Sequence, residues 1–293
     1  MPRRARKGRA AEIAVHLRFQ LLELAVDITA EDDRLASKLA YLTVSAASDL
    51  STDEHVGYHV SGTGPYVLAT DGGEPEGAQT PDDVLFLVYR DCYGRLMRRM
   101  QTAGWLAIHG GLVWVAGRRL LVIGQKGAGK TTLMLRLLHD GHRVEGDELV
   151  FTREGLAMAL PRLFHLKPGT ETLIPELAGR LEEAPFTLLT DGGRITGFDP
   201  TVAGFDWRID SGPIDGVVVL RAGHDGPTST RPLSSVDLAL HVLDHAFPAS
   251  PSRPDTLRAC AQLVADIDGT ELVAGTVKSS ATALVTFATL LQS

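Results

Sequence analysis

The ten residues GQKGAGKTTL, Gly124 to Leu133, constrain this chain more than any other stretch. They put three glycines and two lysines where an apolar run turns into a helical one. Upstream, RLLVIG ends a series of branched aliphatics at Gly124. Downstream, Leu133, Met134, Leu137 and Leu138 recur at three- and four-residue spacing before Gly141. Strand, loop and helix are predicted in that order, with Gly141 as the residue just past the helix end. The loop fits G-x-x-x-x-G-K-[ST] through Gly124, Gly129, Lys130 and Thr131, in the strand-to-helix setting the pattern requires. Glycines let successive backbone N–H groups turn inward round an anion, and the helix N-terminus adds partial positive charge. A lysine in this place reaches the outer phosphates, and the hydroxyl after it can ligate Mg²⁺. The segment Gly124, Gln125, Lys126, Gly127, Ala128, Gly129, Lys130, Thr131 and Thr132 is therefore the expected seat of a nucleoside triphosphate. The plain alternative is a glycine-rich turn that binds nothing.

Composition narrows the setting. With 293 residues, 44% of them hydrophobic, the chain can bury a sizeable core as one large domain or two modest ones. A formal charge of −7 argues against general nucleic-acid binding, which needs clustered basic surface. The exception is MPRRARKGR, where Arg3, Arg4, Arg6, Lys7 and Arg9 make either a solvated, disordered tail or a dock for an acidic partner or nucleic acid. No apolar run reaches the roughly 18 residues of a membrane span, and no apolar segment follows the basic start. Neither a membrane nor a secretory signal is expected, and the expected compartment is the cytoplasm. Cys92 and Cys260 stand far apart, so they read as ordinary buried thiols rather than a disulfide or zinc pair.

Residues 1–104 read as an N-terminal α+β region, with strands at AVHLRFQLLEL, EHVGYHV, PYVLAT and DVLFLVYR, helices at AEDDRLASKLAYLTVSA and RDCYGRLMRRMQTAGWL, and an exposed loop at TDGGEPEGAQTPDD. Residues 105–293 read as the domain that carries the loop. WLAIHGGLVWVAGRRLLVIG gives two β runs about the tight turn Ala116-Gly117-Arg118, a hairpin leading into Gly124. Strands follow in HRVEGDELVFT and LAMAL, then a loop PRLFHLKPGTE, a buried strand DGVVVLRAG and three helices. A doubly wound nucleotide fold normally alternates helices with strands, so this β-rich approach is unusual for one.

A phosphate-binding loop defines no reaction by itself. Asp147 and Glu148, in EGDELV, fall where the chain returns from the helix. Hard carboxylates suit Mg²⁺, and one can serve the metal while its neighbour accepts a proton from an attacking hydroxyl. A solvated acidic turn is the alternative. In P-loop ATPases the metal-side Asp usually ends a separate apolar strand, whereas here GVVVLRAGHD reaches Arg221 at that place.

On these residues the stretch Ile108 to Thr152 resembles the catalytic core of the HPr kinase/phosphorylase family and its HPr-kinase-related relatives. The matching positions are His109-Gly110, then Gly124, Gly127, Gly129, Lys130 and Thr131, then Gly141-His142-Arg143, then Asp147, with Glu148 where the family has a second Asp. The resemblance implies an α/β P-loop kinase fold related to phosphoenolpyruvate carboxykinase, with ATP-dependent phosphorylation of a serine hydroxyl on a peptide or protein. It implies that Asp147 is the general base and that Glu148 and Thr131 help hold Mg²⁺. It also puts His109 beside the reacting phosphate. The signature of the family's phosphorylase half is not found, and the first ~100 residues do not resemble the regulatory domain of the HPr enzymes. Shorter relatives encoded with peptide-modification genes are more similar, including at PRLFHLKPGTETLIPEL. There Arg162, His165 and Lys167 either line the acceptor and compensate phosphoryl charge or form a solvated basic loop. His139 and His142 read as structural, at a helix end where the dipole favours imidazolium.

The expected activity is an ATP- and Mg²⁺-dependent kinase acting on a hydroxyl, with a peptide or small protein as acceptor and a homo-oligomer left open. A small-molecule acceptor is one alternative. A nucleotide-sensing module without transfer is another, disfavoured because Lys130, Thr131, Asp147 and Glu148 occur together.

Overall fold

The computed structural model describes residues 13–43, 52, 54–182, 186–190, 193–223, 226–247 and 253–291, so the basic start of the chain lies outside the described residues. Strands β1 (Val15–Leu21) and β2 (Leu24–Ala30) form a hairpin about Leu22, whose φ is 50°. On β2 every second residue, Leu24, Val26, Ile28 and Ala30, is buried, the alternation of a half-covered strand. After α1 (Leu35–Leu39) come β3 (His55–Ser61), parallel to β2, then β4 (Tyr66–Thr70) and β5 (Glu76–Ala78), completing a five-stranded sheet in sequence order. The stretch expected as an exposed loop thus contains one short edge strand.

DVLFLVYR, expected as a strand, is instead part of the 22-residue helix α2 (Pro81–Thr102). Short apolar runs do not separate strand from buried helix, and here the start signals decide. The Thr80 side chain accepts from the Asp83 amide, and the Asp83 carboxylate accepts from the Thr80 amide, with Pro81 in the first turn. Val84, Leu85, Val88, Cys92, Leu96 and Met100 then form one buried stripe. Thr80→Ala is expected to cost about 1 kcal/mol. It should lower the denaturant midpoint at constant slope, and an unmoved midpoint would show that the stripe alone holds the helix.

The second part begins with β6 (Leu106–Val115) and β7 (Arg118–Gly124), an antiparallel hairpin turned by Ala116 and Gly117 at φ 49° and 75°. Helix α3 (Lys130–His139) follows and ends on Gly141 at φ 88°. The Gly141 amide donates to Leu138 and the His142 amide to Leu137, the two bonds of a Schellman stop. Next come β8 (Arg143–Gly146), β9 (Leu149–Arg153), β10 (Leu156–Ala159), β11 (Phe164–Leu166), α4 (Thr170–Leu173), α5 (Ala178–Glu182), β12 (Phe186–Thr190) and β13 (Gly193–Phe198). The expected loop PRLFHLKPGTE therefore holds a strand and the start of a helix; β11 pairs with β13, and β13 with β12. The chain closes with β14 (Gly216–Ala222), β15 (Ser229–Leu233), α6 (Ser235–His245), β16 (Ala246–Phe247), α7 (Arg253–Leu263), β17 (Asp268–Ala274) and α8 (Val277–Leu290).

The result is a mixed α/β protein with several sheets. Its large sheet runs β10-β9-β6-β7-β14-β17-β15, with β8 and β16 also on β6. Only β7, β14 and β17 run parallel, and β14 is buried along Gly216–Leu220, as a strand covered on both faces should be. Under the β6–β7 hairpin Arg119 and Glu145 form a fully buried ion pair at 2.6 Å. Glu145 also accepts from Trp114 and Arg143, while Arg119 donates to the carbonyls of Ala157, Asp210 and Gly212, so most of the desolvated polar atoms are paired. Among the described residues no helix is long and apolar enough to cross a membrane. Cys92 and Cys260 are both free and buried.

Candidate active site

The site is organised by the way β6 changes neighbours along its length. Its first half, Leu106–His109, pairs with β9, and its second half pairs with β7 on one side and β8 on the other. Asp147 and Glu148 fill the gap between β8 and β9, opposite His109-Gly110-Gly111. The two glycines are required by close approach rather than by backbone freedom. A Cβ on Gly111 would lie 2.5 Å from the Gly146 oxygen and 3.1 Å from the Asp147 Cα, and one on Gly110 would lie 2.8 Å from the Val122 oxygen. The Gly110 amide donates to the Glu148 carbonyl at 3.1 Å, fixing the acidic turn against the strand.

On the other side of β6, β7 runs out into the 124–130 loop. Gly124 is a close-approach residue, because a Cβ there would meet the Leu220 oxygen of β14 at 2.4 Å. Gly127 and Gly129 sit at φ 87° and 94°, the left-handed region that lets a short loop turn its amides inward. Gln125, Lys126, Gly127 and Gly129 are exposed, while Ala128 packs into the core and its amide closes a turn on Gln125. Lys130 is buried and folded back on its own loop, its Nζ donating to the carbonyls of Gly124 at 2.6 Å and Gln125 at 3.3 Å. Burial lowers its pKa, against the pull of Glu148 and Asp147, and the charge of Lys167 lowers it further. Thr132 is half-buried beside it.

Thr131 Oγ1 donates to Asp147 Oδ2 at 2.7 Å, joining the helix start to the acidic turn. Asp147 is almost fully buried, and desolvation raises its pKa above the usual carboxylate value despite Arg162, Thr131 and Lys130. Glu148, 45% exposed, has the freer carboxylate. Arg162 is 6% exposed; its Nη2 lies 3.3 Å from Glu148 and 3.8 Å from Asp147, and its Nη1 donates to the Tyr89 hydroxyl at 3.3 Å. Although Nη2 is within ion-pair distance, neither it nor Nε makes a directed hydrogen bond among the described residues. Burial disfavours its charge, but Tyr89, Glu148 and Asp147 outweigh that and keep Arg162 cationic.

His165 is brought to the same cluster but carries no charge. Burial, and then Arg162, push its pKa down to about 2, and its Nε2 pairs with the Tyr41 hydroxyl. The Tyr41 ring lies against Gly197, where a Cβ would come within 2.7 Å of it, and the Tyr89 and Tyr93 rings lie tilted by 47° with centres 4.6 Å apart. The buried cation at this wall is Arg162, and Lys167 is exposed. The tyrosines come from the N-terminal region, and the sequence gives no sign that they reach the site.

His109 Nδ1 lies 2.8 Å from the Glu148 backbone oxygen. A carbonyl only accepts, so Nδ1 carries the proton and Nε2 is left as an acceptor. The ring is also 3.8 Å from the Glu148 carboxylate, but burial and then Lys130 lower its pKa, so the hydrogen bond describes it better than an ion pair. His142, expected to favour the charged form, has its pKa lowered by burial instead. Lys130, Thr131, Asp147, Glu148, Arg162 and His109 thus meet in one place. A separate hollow of about 460 Å³ on the N-terminal sheet, lined by Glu31, Asp32 and Asp33, shares none of these residues, and its acidic lining does not suit a phosphate.

No family model matches the chain. Among solved structures it is similar to the Hpr(Ser) kinase/phosphatase from Coxiella burnetii, at 12% identity over 64% of this chain and 97% of that one, with a TM-score of 0.32. A likeness this remote fixes neither activity nor substrate.

Proposed function

We propose that the protein is a P-loop kinase of the HPr-kinase-like type, transferring the γ-phosphoryl group of ATP to a hydroxyl, with serine on a peptide or small protein as the favoured acceptor. The observation that carries this reading is the 2.7 Å bond from Thr131 to Asp147, which ties a loop built for phosphates to a buried carboxylate able to take a proton.

The residues fit Mg²⁺ by their chemistry: a hydroxyl and two adjacent carboxylates offer hard oxygen donors. Among the described residues no group of three or more His, Cys, Asp or Glu could hold a metal unaided. That suits Mg²⁺, which is usually held by one or two carboxylates together with substrate phosphates. When bound, the ion would neutralise negative charge that develops on the transferring group. Thr131 and Glu148 would hold it, with Asp147 alongside.

The chain's own groups supply the rest. Loop amides and Lys130 cradle the triphosphate once Lys130 leaves the Gly124 and Gln125 carbonyls. The acceptor oxygen forms its bond to the γ-phosphorus as the bond from that phosphorus to the bridging oxygen breaks, and ADP departs. The hydroxyl proton passes to Asp147, whose raised pKa makes it a better base than an exposed carboxylate. Arg162, with two donor nitrogens lacking directed bonds, is suited to the equatorial oxygens of the transferring group. Domain roles follow the same reading: residues 105–293 are catalytic, and residues 1–104 contribute the tyrosine wall.

Mg²⁺ with ATP is expected to raise the melting temperature, since a ligand that binds only the native state stabilises it, by about 2.7 kcal/mol at a hundredfold excess over Kd. An unmoved melting curve at millimolar Mg²⁺-ATP would overturn the nucleotide reading. Phosphate found by mass spectrometry on a peptide rather than on a free hydroxy amino acid would separate the two acceptor classes.

A further inference from the structure

One further histidine stands at the edge of this geometry, next to His109. Helix α6 starts on Ser234, whose hydroxyl accepts from the Asp237 amide, and ends at His245, where the chain becomes β16. β16 pairs with β6 through Ala246 with Ile108 and Phe247 with Ala107. The residues that come next beyond the Ala246–Ile108 pair are His245, the last of α6, and His109 of β6, where β7 leaves β6 for the 124–130 loop. In sequence, HVLDHAF reads as the end of an amphipathic helix, and only strand pairing carries His245 to the site.

We propose that His245 is a nucleotide-contacting residue that donates a hydrogen bond to the terminal phosphate of bound ATP, beside Lys130 and His109. The assignment rests on the kinase reading above. A P-loop lysine reaches the β- and γ-phosphates, and the β16–β6 ladder sets His245 by His109, next to Gly110, whose partner Ile123 leads into the loop, on the side where the outer part of the triphosphate would lie. Burial, then Lys130, then His109 push the His245 pKa down to about 4, with Asp244 pulling the other way and His241 adding to the depression. The ring is therefore neutral at physiological pH and offers one N–H donor without adding another cation to Lys130, Arg162 and Lys167. His241 and His245 are one turn apart on α6, but they do not form a metal site with His109, since no three such ligands come together among the described residues.

The test is calorimetric titration of the full chain with Mg²⁺-ADP and with the Mg²⁺ complex of a β,γ-imido ATP analogue, for wild type, His245→Ala and His245→Gln. His245→Ala should weaken the triphosphate analogue by roughly tenfold and ADP by less than about twofold, the loss of one hydrogen bond to a charged group. His245→Gln, which keeps an N–H donor, should recover most of the difference. Should His245→Ala not fold, His245→Phe, which keeps a ring without the donor, carries the same comparison. Equal loss for both nucleotides, no loss for either, or a glutamine variant as weak as the alanine one overturns the assignment. Wild type that binds neither nucleotide overturns the kinase reading itself.

Discussion

Lys130→Ala is expected to abolish phosphoryl transfer in a protein that remains folded. On the kinase reading, removal of the ammonium takes away the charge that draws the outer phosphates into the loop, and neither Arg162, placed for the transferring group, nor Lys167 takes over that role. Arg162 is held against Asp147 and Glu148, and Lys167 is exposed. The fold should survive for a separate reason. Burial lowers the Lys130 pKa, so the charged side chain is less stable in this position than in water, and truncation removes that cost. What is lost is two hydrogen bonds to the carbonyls of Gly124 and Gln125, the second of which is exposed and can turn to water. A net change of about 1 kcal/mol is the scale for such a loss. The check is phosphorylated product by mass spectrometry beside a thermal melt of the same sample. Wild-type turnover in the folded variant would remove the loop from the mechanism.

The loop and its flanks were legible because each local signal agreed with the next: apolar strand, glycines at the left-handed positions 127 and 129, an apolar helix stripe and a glycine stop at 141. The hairpin before the loop and the acidic pair after it were legible for the same reason. What could not be read was anything decided by contact between distant segments. Tyr41 and Tyr89 reach His165 and Arg162 through a turn and a helix that lie far from the loop in sequence, and a two-residue strand brings the chain after His245 onto β6. Nothing in their neighbours marks them. DVLFLVYR failed differently: its apolar run fits strand or helix, and the capping box that selects the helix falls just outside it, at Thr80 and Asp83. Of the roles open to His165, charge compensation falls away because burial, which a sequence does not display, decides its protonation.

Asp147→Asn should separate chemistry from binding. The asparagine oxygen can still accept from Thr131, so the turn between β8 and β9 keeps its tie to the helix start. Arg162 keeps Glu148 at 3.3 Å as its counter-charge. Mg²⁺-ATP affinity should therefore persist, while kcat falls by roughly 10²–10⁴ because an amide cannot take the acceptor's proton. Wild type is expected to carry a matching signature in its pH profile. A base works only when deprotonated, so the rate falls as pH drops through the Asp147 pKa, which burial raises above the ordinary carboxylate value. The asparagine variant should lose that acid limb. Glu148→Gln should behave otherwise, since its half-exposed carboxylate fits a metal ligand whose loss weakens Mg²⁺-ATP and is partly rescued by more Mg²⁺. Calorimetry of Mg²⁺-ATP binding, paired with initial rates across a Mg²⁺ series and a pH series, reads both variants. A metal-rescuable defect in Asp147→Asn with a pure rate defect in Glu148→Gln would exchange the two roles. If neither substitution changes the rate by about tenfold, the pair is only an acidic turn that Gly110 and Gly111 hold against β6.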